Sequence, residues 1–165
     1  MSCSKIWIAP HLRVLIADSD QAYCAALRVR LNRLGFYRVD ETITPRDTLN
    51  RMEDTAYDIV MVEVGHPYQP VWDALEEDAE GSATLVVGMS LDRSGHDWVA
   101  AIHQGANAIL MKAFYTHLLQ PVLAHMLGSP AARRCRLVQF PRPEPVESFD
   151  VKPSRRLDSK DSRER

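Results

Sequence analysis

The stretch LRVLIADSD (12–20) decides the fold: an apolar run over 12–17 breaks at once into Asp18, Ser19 and Asp20. A continuous apolar run of this length reads as a strand buried on both faces, which belongs to a parallel sheet covered by helices on each side. The same design recurs along the chain. YDIVMVEV (57–64) is a second such run, again reaching an acid, and TLVVGMS (84–90) and NAILMK (107–112) are two more. FYRVDETI (36–43) reads as the remaining strand, second in chain order.

Helical segments separate the strands. Asp20 or Ser19 can cap a helix whose apolar residues Ala22, Tyr23, Ala26, Leu27, Leu31 and Leu34 recur at helical spacing, and Gly35 stops it. Short helices are expected over 47–52, 70–80 and 97–104, the last stopped by Gly105. The final helix is expected from about Phe114 to Leu127, with Pro121 inside it removing a hydrogen bond and bending it. Five strands alternating with five helices give an α/β doubly wound parallel sheet of flavodoxin-like type, strand order 2-1-3-4-5. Such sheets gather their site at the carboxyl ends of the strands.

Charge divides the chain. Of 165 residues, 20 are Lys or Arg and 22 are Asp or Glu, a net charge of −2. Residues 1–128 hold 10 basic and 16 acidic residues, a net −6, whereas 129–165 hold 10 basic and 6 acidic, a net +4. The second portion also holds five of the ten prolines and no glycine, so a basic, Pro-rich, disordered tail is expected there. The reading is an N-terminal extension over 1–11, a domain over 12–128 and a tail over 129–165. Within the tail, RRCRLVQFPRPEPVE (133–147) joins arginines to an apolar run and a PxP pattern that favours polyproline II, a form partner grooves bind; a solvated spacer is the plainer alternative.

Composition excludes several classes. The small net charge argues against bulk coating of nucleic acid, leaving only the tail for such contact. No run approaches the length of a membrane span, and the first residues lack a secretory core. Cys3, Cys24 and Cys135 are odd in number and far apart, which fits a reducing cytoplasm. The six histidines show no ligand spacing, Ser90 lies in no GxSxG elbow, and no GxGxxG or GxxxxGK[ST] loop occurs. Trp7, Trp72 and Trp98 read as packing residues.

What remains is the set of strand ends. The first strand delivers Asp18, Ser19 and Asp20, the third Glu63, the fourth Ser90 and the fifth Lys112: three carboxylates, a hydroxyl at Ser90 and an ammonium at one edge. RVLIADSD, YDIVMVEVGHP, LVVGMS and GANAILMKAF, in this order and spacing, resemble the receiver domain of two-component response regulators over about residues 12–127. The resemblance implies a signal-transduction role in a bacterial cytoplasm. It places Glu63 at the phosphoacceptor aspartate that histidine kinases modify, and Asp18, Ser19 and Asp20 at the acidic pocket that holds Mg²⁺. Ser90 and Lys112 match the phosphoryl contacts. Ile109 stands at the switch aromatic and Ala113 at a proline that commonly follows the lysine.

Four of these positions depart from the pattern. Glu63 is one methylene longer than aspartate, and about 1 Å of misplacement can cost 10²-fold in rate. Ser19 removes an anionic ligand that Mg²⁺ needs, leaving Asp18 as the one matched metal ligand, with Asp20 as a partial substitute. Ile109 offers no obvious mover, and Ala113 makes a cis bond there improbable. The expectation is a stand-alone, atypical receiver without catalytic activity or cofactor. It would act by phosphorylation-independent contact with a kinase, another regulator, an output protein or a second copy. Its fourth helix, fifth strand and fifth helix (His103, Gln104, Ala108, Tyr115, His117) are the surface the resemblance suggests. Two alternatives stand beside it: a phosphorylatable receiver of unusual geometry in a phosphorelay, and a regulator that touches nucleic acid through the tail. Glu63 could pair with Lys112 and Ser90 to imitate the phosphorylated form, or be a plain ion-pair partner.

Overall fold

The structure is a computed structural model that describes residues 11–79, 82–91, 95–112 and 118–128. Readings that concern Trp7, Ala113, Tyr115, His117 and the tail lie outside the described residues. The chain order is β1 (Arg13–Ala17), α1 (Gln21–Arg33), β2 (Arg38–Thr42), α2 (Pro45–Asp54), β3 (Ile59–Glu63), α3 (Gln69–Asp78), β4 (Leu85–Ser90), α4 (His96–His103), β5 (Ala108–Met111) and α5 (Leu119–Gly128). All five strands are parallel, in the order β2-β1-β3-β4-β5.

Strand alternation splits the core into two layers. Val14 and Ile16 of β1, Ile59 and Met61 of β3, and Val87 and Met89 of β4 face α1 and α5, meeting Leu27, Leu31, Val122 and Met126. Leu15, Val60, Val62, Val86 and Ile109 face the other way, onto Val71, Trp72 and Leu75 of α3 and Ala101 of α4. Because side chains on a strand alternate, a run apolar at every position fills both layers at once. The central strands therefore lack the polar–apolar alternation of a half-buried sheet.

Local chemistry sets the helix ends. Asp20 caps α1 by accepting from the Tyr23 N–H at 3.0 Å. At the other end, the Phe36 N–H reaches the Leu31 carbonyl and the Gly35 N–H reaches Asn32. That pair of bonds is a Schellman stop, and Gly35 sits at φ 95°, where only glycine is unstrained. One sequence expectation needs correction. The helix expected over 47–52 is α2, which starts earlier: Thr44 is its cap and Pro45 occupies the first turn, where a missing N–H costs nothing. α5 is described from Leu119, which places Pro121 third in the described helix; the expected start near Phe114 lies outside the described residues. The described cis bond is His66–Pro67.

Gly88 on β4 has no room for a side chain. A Cβ there would lie 2.7 Å from Ile109 Cδ1 and 2.9 Å from Val64 Cγ2. The space a side chain would take is already filled by Ile109, which is 6% exposed. Gly88→Ala is therefore expected to destabilise the fold by about 1–3 kcal/mol through overpacking. Gly88→Ala with Ile109→Val is expected to recover part of that loss, because it trims the clashing methyl. Denaturant melts of the two variants check both statements; equal stability of Gly88→Ala and the parent would contradict them.

Candidate functional site

The carboxyl ends of β1 and β3 and the residue after β5 meet at a buried ammonium. Lys112 Nζ lies 2.6 Å from Asp18 Oδ2 and 2.6 Å from Glu63 Oε1. Asp18 follows β1 and is fully buried, Glu63 closes β3 with its side chain 16% exposed, and Lys112 follows β5 at 6%. The backbone fixes these positions: the Lys112 N–H bonds the Ser90 carbonyl at 2.8 Å, and the Asp18 N–H bonds the Thr42 carbonyl at 3.1 Å.

Ser19 completes the cluster. Its hydroxyl donates to Glu63 Oε2 at 2.6 Å and its N–H to the same oxygen at 3.0 Å. Both oxygens of Glu63 are thus engaged, one by the ammonium and one by Ser19. Asp18 Oδ1 accepts the Asp20 N–H at 2.9 Å, so Asp18 too is held at both oxygens. The Asp20 carboxylate points to the α1 cap and leaves the cluster. Ser90 is buried at 2% at the end of β4, beside the strand that carries Glu63.

Two aromatic residues frame the site. The Tyr23 ring, on the first turn of α1, stands 5.6 Å from Lys112 Nζ, a cation–π distance. The Trp72 indole donates to the Glu63 carbonyl at 2.9 Å and ties α3 to the end of β3. In sequence both read as apolar helix positions. Nothing in their spacing announces a hydrogen bond to a strand end. Ile109 lies on β5 in the α3–α4 layer, filling the space beside Gly88.

Burial and pairing compete in the proton affinities. Burial raises the Asp18 carboxyl above its ordinary range, a push that Lys112 and the Asp20 N–H offset only in part. Burial also pushes Glu63 upward, but the hydrogen bonds from Lys112 and Ser19 together outweigh it and hold Glu63 below its usual value. For Lys112 burial favours the neutral amine; its bonds to Asp18 and Glu63 prevail and keep it charged to higher pH. The cluster is two carboxylates around one ammonium. Among the described residues no three His, Cys, Asp or Glu side chains converge as a metal cage. The point where the carboxylates do converge is taken by Lys112.

No family model matches the sequence, and no curated protein matches it. Solved structures do. The response regulator DrrB of Thermotoga maritima, an OmpR/PhoB homologue, superposes with a TM-score of 0.61 at 21% identity, over 71% of this chain and 52% of that one. The chain thus spans about half of that regulator, but 98% of the BeF3-activated DrrB receiver domain taken alone. A two-component response regulator from Clostridium difficile matches with a TM-score of 0.63 at 18% identity, over 72% and 97% of the two chains. HP1043, an orphan response regulator of H. pylori, matches with a TM-score of 0.60 at 23% identity, over 71% and 98%. These likenesses, with the parallel sheet order β2-β1-β3-β4-β5, show the fold: the chain has the fold of the response-regulator receiver domain.

Proposed function

We propose that this chain is a receiver that signals by protein contact without being phosphorylated at residue 63. The observation that carries the reading is the closed cluster of Asp18, Glu63 and Lys112. In a receiver, phosphoryl transfer needs a carboxylate oxygen free to attack phosphorus in line, with a cation at hand to neutralise the transferred group. Here Glu63 Oε1 faces Lys112 and Oε2 accepts two bonds from Ser19. The extra methylene of Glu63 carries its carboxylate onto the ammonium that would otherwise meet a phosphoryl oxygen.

Mg²⁺ does not fit this set well. An octahedral Mg²⁺ site needs anionic oxygens that are not already shared, and Asp18 and Glu63 share one ammonium. Ser19 offers a neutral hydroxyl that is spent on Glu63. The protein acts as a non-catalytic binding module. Glu63 supplies one negative charge to Lys112, where a phosphoryl group would supply about 1.5 to 2. The domain is held near one arrangement by its own side chain, and its readout is a partner protein that recognises that arrangement. No described helix is long and apolar enough to cross a membrane.

Incubation with acetyl phosphate and Mg²⁺ tests the reading directly. We expect no hydroxylamine-labile phosphoryl adduct on Glu63 by mass spectrometry. An adduct mapped to that residue would overturn the proposal and favour a phosphorelay receiver of unusual geometry.

The same cluster has a stability signature. Glu63→Gln removes the charge while keeping the shape, so Lys112 keeps only Asp18; the expected loss at neutral pH is about 1–3 kcal/mol. Because folding lowers the Glu63 pKa from 4.5, its contribution is complete above that pH and is lost as pH falls through the folded value. The gap between parent and Glu63→Gln should therefore narrow below pH 4.5. Denaturation series at neutral and acid pH read it, and a gap that stayed constant or widened on acidification would contradict the ion pair.

A further inference from the structure

At the amino edge of the sheet, opposite the Glu63 cluster, the ends of α2 and α3 frame two adjoining grooves of about 510 and 290 Å³. They share Leu75, Asp78, Ser82, Ala83 and Thr84. Of the exposed carboxylates, Asp78 lines both grooves and Glu53 the larger, which also takes in Met52, Val60 and polar Thr55. Neither acid is ion-paired among the described residues. The α3 carboxyl terminus adds its partial negative charge there, with no basic residue in its last turn to answer it.

We propose that these grooves dock the chain's own residues 133–142, RRCRLVQFPR. That segment has four arginines, no acid and the apolar residues Leu137, Val138 and Phe140, so its charges complement Glu53 and Asp78 and its apolar side chains can meet Leu75, Met52 and Val60. Its attachment point is at the right end of the molecule. In a parallel sheet every helix returns against the strands, so α5 finishes at Gly128 on the same edge as the grooves. Leu137 to Phe140 follow Gly128 by nine to twelve residues, a reach of up to about 30–40 Å when extended. That suffices to pass from the α5 layer to the α3 layer, since each helix is about 10 Å across. Docking in cis also needs no partner concentration, because the tether supplies a high local one. The basic portion of the chain thereby neutralises the acidic portion at one surface, away from Lys112.

The test uses the full chain with Cys3→Ser, Cys135→Ser and Ser148→Cys, carrying a methanethiosulfonate nitroxide at residue 148. That position lies beyond the docking segment and leaves its arginines and apolar residues intact. Cys24 is buried, with burial as the largest cause raising its thiol to about 12, so it stays unlabelled. Expected is paramagnetic loss of amide peak intensity at Tyr57, Asp78 and Thr84. The loss should disappear with Glu53→Gln plus Asp78→Asn, and with Arg133, Arg134 and Arg136 changed to Gln. Three results would overturn the proposal: no loss at these amides, loss centred on another face, or loss seen only when a labelled chain is mixed with an isotope-labelled one. The last would assign the grooves to a second copy.

Discussion

Lys112 is a buried ammonium, and the carboxyl edge of the sheet is arranged around keeping it charged. An ion taken out of water costs several kcal/mol unless it is paired in good geometry. Asp18 and Glu63 meet that demand from two different strands, each at 2.6 Å. The arrangement leaves a net negative charge, and Ser19 is the residue that makes it tolerable. Its hydroxyl and N–H cradle the Glu63 oxygen that Lys112 does not reach. A third carboxylate at position 19 would face that oxygen and repel it. Ser19 and Glu63 are best understood together, as a matched pair around one cation.

This changes the meaning of the departures visible in the sequence. Read singly, Ser19 is a lost metal ligand and Glu63 an overlong phosphoacceptor. Read in the structure, each is a hydrogen-bond or ion-pair partner with both its polar ends engaged. Ile109 follows the same logic in the core: the space it takes beside Gly88 is closed to anything larger on β4. In the site and in the packing beneath it, the available space is filled by the chain's own side chains.

The fold was legible because the central strands are buried on both faces, and continuous apolar runs such as those ending at Ala17 and Glu63 carry that information locally. Placement at the strand ends followed from topology, so Asp18, Glu63 and Lys112 were found by position alone. What sequence could not carry was direction. Asp20 reads in sequence both as a helix cap and as part of the acidic pocket, and its carboxylate accepts the Tyr23 N–H as that cap. Trp72 looked like a core residue, and its indole also fixes the Glu63 carbonyl. The start of α2 at Thr44–Pro45 was missed although a capping residue followed by proline is a local signal. The net charge of −2 is the sum of an acidic portion over 1–128 and a basic one over 129–165.

The central claim is that Lys112 is already satisfied by Glu63 and leaves no room for a phosphoryl group. Beryllofluoride, which mimics that group on a receiver carboxylate, tests it most directly. Amide spectra of the full chain recorded with Mg²⁺, with and without beryllofluoride, should be superimposable at Ser19, Glu63, Ser90 and Lys112. Saturable shifts at those residues would show a site open to phosphoryl chemistry and contradict the account.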